Sequence, residues 1–364
     1  MPTQSTVQPT RLSRLAGQLA QDIRRKGLRS GDPYLTAEAA ANFLGVSRMT
    51  ANRAMNVLAE RELLVRHGSR GTFVGPAAEA VSEASVGKCI HYITFVDDNP
   101  TIHVELGEIL AGLEAVFPDV SLDTHIVPLR NAMQYVQKKL AAAISDSSLG
   151  GIVLTLGPRS VQQLLADSGV PVVVNGSVYP GIRLPSVEVD QLRLGQLLAE
   201  MAINAGYRRL MFVSRELWRR GDNLAFDGIQ EAAHAAGLGL NSVQIRNIPT
   251  SPTDLANEFE HILSEVEAPC ALLCRLPCFA RAAAEAAKRR GLRIPEDIGI
   301  VYDDTVQEGG LPFDAVRPQE GCSLREQFRK IGQMLTEMSA GRMPDPMSVV
   351  MPVEAVPMVR TSEK

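Results

Sequence analysis

Residues 36–74, TAEAAANFLGVSRMTANRAMNVLAERELLVRHGSRGTFV, decide the fold of the first part of the chain. Thr36 can cap a short Ala-rich helix, and Gly45 can take the left-handed conformation that ends it. Ser47 then caps a second helix that extends to about Arg61. Two helices joined by a short turn that contains Gly form a helix-turn-helix. The stretch therefore predicts this motif.

The second helix is expected to have one apolar and one polar face. The apolar residues recur at helical spacing and are Ala51, Ala54, Met55 and Leu58. In motifs of this kind the first turn of the second helix enters the major groove of DNA. The sequence therefore predicts DNA contacts from Ser47, Arg48, Met49, Thr50, Asn52 and Arg53.

A hairpin is predicted directly after the second helix. Its strands are residues 63–66 and 71–74, with the sequences LLVR and GTFV. His67 could in principle bind a metal, but no other His or Cys lies near it in the sequence, which favours a DNA contact. A helix-turn-helix followed by a hairpin is a winged helix. The basic tip of this wing supplies further candidate DNA contacts, His67, Gly68, Ser69 and Arg70.

Two motifs of this region resemble a known family. SRMTANRAM and GSRGTFV, spaced as they are here, resemble the winged helix of the gluconate-repressor (GntR) family of bacterial transcription regulators. The resemblance covers about Leu12 to Pro76. It implies that residues 1–76 form a DNA-binding domain whose second helix reads the groove.

The charge of the chain is divided unevenly. Residues 1–76 hold 11 Lys and Arg against five Asp and Glu, whereas the remainder holds 26 against 36. The first segment therefore carries +6 and the rest −10. This distribution of charge fits a basic N-terminal domain that binds a polyanion and an acidic remainder that does not. Its affinity for DNA should depend strongly on salt.

Length and composition allow a second, larger domain. The chain has 364 residues, of which 45% are hydrophobic, enough for a small domain and a large one with its own core. Five Cys are too few for a disulfide framework at this length. Residues 1–10 contain no apolar signal region, and no later apolar run has the length of a membrane span. We therefore expect a cytoplasmic, reduced protein.

Strands alternate with amphipathic helices from Lys88 onward, after a small, polar stretch at residues 77–87 that is expected to be a linker. Two rounds of similar size predict two lobes with a cleft between them. In open α/β sheets, ligands bind beyond the carboxyl ends of the strands. The predicted strands are residues 90–96, 122–127, 151–156, 171–175, 210–213, 243–248, 271–275 and 298–302. Between the strands at 210–213 and 243–248, a helix is predicted over residues 225–236.

Three segments of this region resemble the effector domain of the lactose-repressor family. They begin VEVDQLRLGQLL at Val187, APCALLCRLPCF at Ala268 and FDAVRP at Phe313, and the second continues to a GLRIPEDIG signature. The resemblance implies a two-lobed fold like that of periplasmic sugar-binding proteins, over residues 88–364, which also dimerises. It further implies three crossings between the lobes. The N-lobe would then comprise about 88–188 and 318–342, and the C-lobe about 189–317 and 343–364.

That family holds sugar hydroxyls with an Arg three residues before a Gly and with an Asn-Asp pair. In this sequence those positions are Ala225 and Leu276-Pro277. A cleft that discriminates hydroxyls needs fixed donors and acceptors, so their loss argues against an ordinary monosaccharide. The polar and aromatic residues left at the expected edges of the cleft are candidate effector contacts. They are Asp97, Asn99, Thr155, Asn175, Trp218, Arg219, Arg275 and Asp303.

Several of these residues have two readings. Trp218, the only Trp, either packs on its own lobe or stacks on a ligand. Arg275 at a strand end would be costly if buried alone, so it should meet an acidic partner such as Asp303 or an anionic ligand. Asp97 and Asp303 are either solvated loop acids or ligand contacts. Cys270, Cys274 and Cys278 could suggest metal or redox chemistry, but inert buried thiols are favoured.

The sequence as a whole predicts a ligand-responsive transcription regulator that binds double-stranded operator DNA as a homodimer. Both resemblances imply repression more often than activation. No GxGxxG follows the first strand of either lobe, and no P-loop, GxSxG or HExxH motif is present, so we expect neither an enzyme nor a cofactor nor a metal. An α/β-sheet enzyme or a solute-binding protein that uses the same cleft is the alternative.

Overall fold

The computed structural model describes residues 15, 16, 19, 22, 23, 26, 28–60, 63–66, 71–75, 88–96, 105–143, 149–249, 255–306 and 310–358. The predicted linker and wing tip lie outside these ranges, as do Asp97 and Asn99. The chain divides into two compact units, residues 1–87 and 88–364. The second unit has the bounds of the predicted larger domain, and the predicted linker at 77–87 falls within the first unit.

The first unit contains the predicted helix-turn-helix. Helix α1 is Ala37–Leu44, and the Thr36 hydroxyl accepts a hydrogen bond from the backbone amide of Ala39 at its start. Gly45 ends the helix with φ 63°, the left-handed conformation that Gly adopts without strain. Helix α2 follows as Arg48–Glu60. The local signals for capping and termination therefore predicted this turn correctly.

A short antiparallel hairpin follows α2, as predicted. Strand β1 is Leu64–Arg66 and strand β2 is Thr72–Val74, with Leu64 opposite Val74. The segment before α1 lies against β2, since Tyr34 N donates to Thr72 O at 2.8 Å and Val74 N to Asp32 O at 2.9 Å. The winged-helix fold is confirmed for the described residues. Its core consists of buried residues from every element: Leu15, Leu19, Ile23, Ala40, Ala51, Ala54, Met55, Leu58, Leu64 and Val74.

The second unit alternates strands with helices. Its first half contains β3 (Cys89–Val96), α3 (Leu106–Glu114), β4 (Ser121–Pro128), α4 (Ala132–Ala143), β5 (Leu149–Thr155), α5 (Arg159–Ala166), β6 (Val172–Asn175) and β7 (Ser186–Val189). Its second half contains α6 (Gln191–Asn204), β8 (Leu210–Arg215), α7 (Arg220–Ala235), β9 (Val243–Ile248), α8 (Leu255–Glu265), β10 (Cys270–Cys274), α9 (Pro277–Arg289), β11 (Ile298–Asp303) and β12 (Asp314–Pro318). The last elements are α10 (Leu324–Ser339), β13 (Ser348–Met351) and β14 (Val353–Val356).

These strands form two sheets of six. One has the order β13-β7-β6-β5-β3-β4, and the other β14-β12-β11-β10-β8-β9. All neighbours are parallel except β12 and β14, which are antiparallel. Helices cover both faces of each sheet, which explains why inner strands such as β5, β10 and β11 are apolar runs without alternation. We call the sheet that contains β3 the N-lobe and the other the C-lobe.

The chain crosses between the lobes three times, as the resemblance implied. It crosses after β7, after β12 and again between β13 and β14. One boundary differs from the prediction, which placed all of 343–364 in the C-lobe. Strand β13 pairs with β7 and therefore extends the N-lobe sheet, and only from β14 onward does the chain return to the C-lobe. The sequence of residues 343–364 did not indicate that β13 and β14 belong to different lobes, because both strands are short and apolar.

Helices α6 and α7 of the C-lobe pack unusually close together. A Cβ atom built on Gly195 would lie 1.8 Å from the backbone oxygen of Ala225, and one built on Gly228 would lie 2.1 Å from that of Leu192. Neither contact is possible for a residue with a side chain. The two glycines therefore set the position of α7 over α6, and with it the position of the α7 amino terminus.

Candidate functional site

The outer face of α2 in the winged helix is polar and accessible. Ala51, Ala54 and Met55 are fully buried, whereas Arg48, Arg53 and Asn56 are exposed. Met49 is 66% exposed and Asn52 is half-buried. The side chains predicted to contact DNA from this helix therefore lie on the surface opposite the core, and the four predicted contacts of the wing tip are outside the described residues.

Two polar contacts fix the ends of α2. The Ser47 hydroxyl accepts from the Thr50 amide at 3.2 Å and contacts the Thr50 hydroxyl at 2.8 Å, as expected for an N-cap. Near the other end, Arg66 Nη1 donates to Asn56 Oδ1 at 2.5 Å. This bond ties the first strand of the wing to the exposed face of the helix. The wing and helix α2 are thus held to each other by a surface hydrogen bond.

The second unit has a cleft between its two lobes at the carboxyl ends of β5, β6, β8 and β10. Its N-lobe side is formed after β5 and β6, by residues 156–157 and 174–177 together with Gln162. Its C-lobe side is formed by Gln191, Arg215, residues 219–222 and Arg275. The space between them is about 450 Å³, part of it open to solvent.

Arg275 stands in the C-lobe wall of this cleft and is almost completely buried. Its Nε donates to Asp222 Oδ1 at 2.9 Å, and its Nη2 to Gln191 Oε1 at 2.6 Å. Its Nη1 donates to Asp303 Oδ2. The prediction that Arg275 meets an acidic partner such as Asp303 is confirmed, and a second carboxylate shares the charge.

Asp222 links this arginine to the start of α7. Its Oδ2 accepts from the Arg219 amide at 2.7 Å and lies 3.3 Å from Arg215 Nε. Burial alone would raise the pKa of Asp222, but Arg215 and Arg275 outweigh it and hold that pKa below the ordinary value. Asp222 is therefore ionised at neutral pH although it is 1% exposed.

Sequence reasoning missed Asp222 because it expected α7 to begin at Ala225. The helix begins five residues earlier, at Arg220, and Asp222 occupies the third position, where a carboxylate caps the backbone amide of residue 219. The available signal was an acidic residue three positions after the N-cap residue, as in a capping box. Arg215 was missed as well, since a strand end gives no indication of which way its side chain points.

Trp218 packs on its own lobe. Its ring lies 5.9 Å from that of Phe212 and 5.7 Å from that of Phe226, both in edge-to-face geometry, and its Nε1 donates to Asn247 Oδ1 at 2.7 Å. Trp218 does not line the cleft in the described residues. Of the two readings of this residue, the structure matches packing within the lobe.

The other predicted effector contacts fall into two groups. Asn175, Arg219 and Arg275 line the cleft, whereas Thr155 ends β5 beside it and Asp303 lies behind Arg275, 3% exposed. Ala225 is fully buried where α7 crosses α6. Leu276 and Pro277 begin α9, so neither supplies a polar group to the cleft.

The cysteines of β10 are in apolar surroundings. Cys270 and Cys274 are 3% and 0% exposed, and burial raises the pKa of the Cys270 thiol to about 11. Burial also raises the pKa of Cys274. Thiols that stay protonated are poor nucleophiles and poor metal ligands, in agreement with the inert reading.

Comparisons with known proteins match these two units. Residues 12–74 match the family of bacterial regulatory proteins, gntR family, and residues 199–362 match a periplasmic binding protein-like domain. The HTH-type transcriptional regulator GntR of Pseudomonas aeruginosa is 27% identical over 284 residues, which are 73% of this chain and 78% of that protein.

Solved structures share the fold. A regulatory protein of the LacI family from Chloroflexus aggregans superposes with a TM-score of 0.60 at 21% identity, over 76% of this chain and 98% of that one. The lac repressor dimer bound to operator and an anti-inducer gives a TM-score of 0.60 at 17% identity, over 77% and 96%.

The chain is therefore a transcription regulator that joins a winged helix similar to that of the gntR family to a two-lobed, periplasmic-binding-protein-like domain, which shares its fold with LacI-family structures. Its winged helix and its two-lobed domain match different families, as the sequence predicted. None of the helices seen in the described residues combines the length and the apolar character needed to cross a bilayer.

Proposed function

We propose that the protein is a cytoplasmic transcriptional repressor that reads operator DNA as a homodimer, and that an anionic small molecule in the interlobe cleft changes its affinity for the operator. The observation that carries the DNA-binding part is the exposed polar face of α2 on an apolar core. The observation that carries the effector part is the cleft with four arginines in its C-lobe wall.

The face of α2 supports direct base recognition. Arg48 and Arg53 stand exposed in the first two turns of the helix, and Arg forms bidentate contacts with guanine in the major groove. The positive charge of residues 1–76 supplies the attraction for phosphates. Selection of binding sites from a random DNA library by the full-length protein tests this proposal. Failure to enrich any common sequence at low salt would contradict it.

A homodimer would place two copies of α2 on one operator. The lac repressor structure with which this chain shares its fold is a dimer bound to operator. Two symmetric readers bind half-sites that are related by a near-palindrome. Light scattering of the full-length protein should therefore give twice the chain mass of 39.4 kDa, and the selected sites should show inverted repeats. A monomer that binds single half-sites would contradict this part alone.

The charge of the cleft supports an anionic effector. Arg215, Arg219, Arg220 and Arg275 line it together with a single carboxylate, that of Asp222. Asp222 pairs with Arg215 and Arg275, and Asp303 behind the cleft wall also pairs with Arg275, so these two carboxylates neutralise part of the charge of the four arginines. The first turn of α7 also faces the cleft, and the positive end of its helix dipole favours an anion. A carboxylate or phosphate on the ligand would meet these groups.

Calorimetry tests the effector class. Sugar phosphates, sugar acids and other small carboxylates form one panel, and neutral pentoses and hexoses form the other. We expect a binder in the first panel only, since the positions that hold hydroxyls in the lactose-repressor family are Ala225 and Leu276-Pro277. Micromolar binding of a neutral sugar would overturn this part.

Arg220 offers a clean variant for the same experiment. It lines the cleft but does not belong to the Arg275 network, so Arg220→Gln should lower the affinity of an anionic ligand without disturbing the fold. Arg208→Gln is a matched control, because Arg208 is exposed just before the amino end of β8, whereas the cleft lies at the carboxyl ends of the strands. Equal loss in both variants would indicate a general charge effect rather than a contact.

We further propose that the cleft binds its ligand without turning it over. Its most buried charged groups are held by one another, and the relatives are named as transcription regulators. Recovery of the unchanged ligand after incubation with stoichiometric protein is the expected result, and a modified product would favour the enzyme alternative.

A further inference from the structure

A second cluster of ionisable side chains lies in the N-lobe, away from the cleft. His91 is on β3, and Asp123 and His125 are on the neighbouring edge strand β4. His91 and Asp123 are directly opposite each other in the parallel register, and His125 is two residues further along the same face. His91 and Asp123 are near the amino ends of their strands and His125 is in the middle of β4, whereas the effector cleft lies at the carboxyl ends of the strands.

The three side chains converge on one point. His91 Nδ1 lies 3.1 Å from Asp123 Oδ2, His125 Nε2 lies 3.0 Å from the same oxygen, and the two nitrogens are 3.1 Å apart. Hydrogen bonds cannot account for all three contacts at once. If both ring nitrogens carry a proton and donate to the carboxylate oxygen, the contact between the two nitrogens brings two N–H groups together, which is repulsive. One cation at the centre of the triangle would accept a lone pair from each atom.

These separations suit a tetrahedral metal ion. Zinc binds imidazole nitrogen at about 2.0–2.1 Å and carboxylate oxygen at about 2.0–2.2 Å, so the ligand atoms of a tetrahedral site are about 3.3 Å apart. The observed 3.0–3.1 Å requires only a slight widening of the triangle. Two imidazoles and one carboxylate are ligands that zinc and its neighbours in the transition series accept.

The surroundings orient the ligands in a way that metal sites commonly require. The Tyr135 hydroxyl of helix α4 contacts His125 Nδ1 at 2.8 Å. When that nitrogen carries the proton and donates to Tyr135, Nε2 is left with its lone pair directed at the centre of the triangle. His125 is 8% exposed in its side chain, and Asp123 is 45% exposed, so the triangle is accessible from the Asp123 side.

The protonation state of His125 is also suitable. Burial lowers its pKa, with Asp123 acting in the opposite direction and Lys139 and His91 adding to the effect of burial. A neutral imidazole is the form that binds a metal. Lys139 Nζ lies 3.5 Å from Asp123 Oδ2 and is 32% exposed, so it is a competing cation that can swing into solvent.

We propose that His91, Asp123 and His125 form a binding site for a divalent transition-metal ion, with Zn²⁺ as the preferred occupant, which links β3 to the edge strand β4. Three protein ligands leave the fourth position of the ion for water or for a group from outside the chain. The site is separate from the effector cleft, and it stands whether or not the proposed effector chemistry is correct.

Equilibrium dialysis of chelator-treated, full-length protein against ZnSO₄, with the metal measured by mass spectrometry, tests this site. We expect one tightly held Zn²⁺ per chain and a rise in the melting temperature on loading. His125→Ala and Asp123→Ala should abolish this binding. Co²⁺ in the same site should give the visible absorption of a tetrahedral ion, and both variants should lose it.

Two further variants separate a metal site from a hydrogen-bonded network. Tyr135→Phe removes only the outer contact and should weaken Zn²⁺ binding by about 10- to 100-fold. Lys139→Gln removes the competing charge and should strengthen Zn²⁺ binding severalfold. In a network without metal, Lys139→Gln would instead only remove a stabilising contact of Asp123.

The control is His234→Ala, since His234 is exposed on α7, away from the triangle. It should bind Zn²⁺ as the unmodified chain does. If His125→Ala fails to fold, Asp123→Asn and Lys139→Gln carry the test, since the first preserves side-chain volume and the second changes a partly exposed side chain. Absence of saturable Zn²⁺ binding, or an unchanged stoichiometry in Asp123→Asn, would overturn the proposal and indicate adventitious binding by other side chains.

Discussion

Arg275 in the cleft and Arg53 on the recognition helix carry the same charge in opposite surroundings. Arg275 is 8% exposed in its side chain and is held by Asp222, Asp303 and Gln191. Arg53 is exposed on the polar face of α2. Taking a guanidinium out of water is costly unless its hydrogen bonds are replaced, so the buried arginine needs a fixed set of partners. The exposed arginine is solvated and needs no fixed partner in the folded chain.

This difference separates residues that stabilise the fold from residues whose charge matters only for binding. Removal of a buried, paired charge leaves its partners buried and unpaired, and the protein loses stability. Removal of an exposed charge changes little in the folded chain and appears only when a partner binds. Arg48 resembles Arg53 in this respect. Substitution of Arg275 should therefore change the free energy of unfolding, whereas substitution of Arg48 or Arg53 should change the affinity for DNA.

The largest effect is expected for Arg275→Ala. This variant leaves Asp222 and Asp303 without their shared cation, and breaking a buried pair in this way typically costs about 3–5 kcal/mol of the free energy of unfolding. Urea denaturation of the effector domain measures the loss. Arg325→Ala is the control, because its pair with Glu108 is on the surface and should contribute about 0–1 kcal/mol. Equal stability of the two variants would contradict a structural role for Arg275.

A smaller effect is expected for Arg48→Ala and Arg53→Ala, and on a different quantity. Each should weaken binding to the selected operator by about 1–3 kcal/mol, the value of a good contact to a base. Fluorescence anisotropy with labelled DNA measures this loss, and the melting temperature should stay the same. If both variants bind the operator as tightly as the unmodified protein, α2 does not read bases through these side chains.

Acid should lower the stability that the charged network around Asp222 contributes. Near neutral pH this contribution should not change. The pKa of Asp222 is lower in the folded protein than in the unfolded chain, so the unfolded chain takes up its proton first. The stabilisation is therefore complete above the ordinary Asp pKa of about 3.9 and is lost as pH falls through the lower folded value. Asp222→Asn should flatten the fall of stability with pH below about 5, whereas Asp167→Asn on the surface should not. Parallel curves for the two variants would contradict this assignment.

The smallest effect is expected for Asn56→Ala. The bond from Arg66 to Asn56 joins the wing to α2 on the surface, and exposed contacts of this kind are worth about 0.2–1 kcal/mol. Operator affinity should fall by no more than this amount, since the wing stays in its antiparallel register through β1 and β2. A loss as large as that of Arg53→Ala would mean that Asn56 contacts DNA itself.

Local signals in the sequence were sufficient for the winged helix. Thr36, Gly45 and Ser47 act within a few residues of where they stand, as caps and as a helix stop, so their effects can be predicted without knowledge of the rest of the chain. The apolar face of α2 follows from helical spacing alone. In the same way, the apolar strands after Lys88 predicted the alternation of strands and helices, since the inner strands of each sheet, such as β5, β10 and β11, are buried on both faces.

Contacts between distant segments could not be predicted in this way. Arg275 was expected to need an acid, and Asp303 was one candidate, but Asp222 comes from a helix whose start was placed five residues too late. The position of that helix depends on the close contact at Gly195 and Gly228, which is visible only once α6 and α7 are packed. The lobe to which β13 belongs likewise depends on its pairing with β7.

The sequence by itself determined the two-domain plan, the recognition helix and the α/β character of the larger domain, because caps, glycines and periodicity act over short distances. Only the tertiary structure decided which charged groups meet. His91 and His125 are 34 residues apart in the chain, and the parallel register of β3 and β4 brings their nitrogens to 3.1 Å. Sheet register is set by the packing of both faces over the whole lobe, and no short stretch of sequence contains that information.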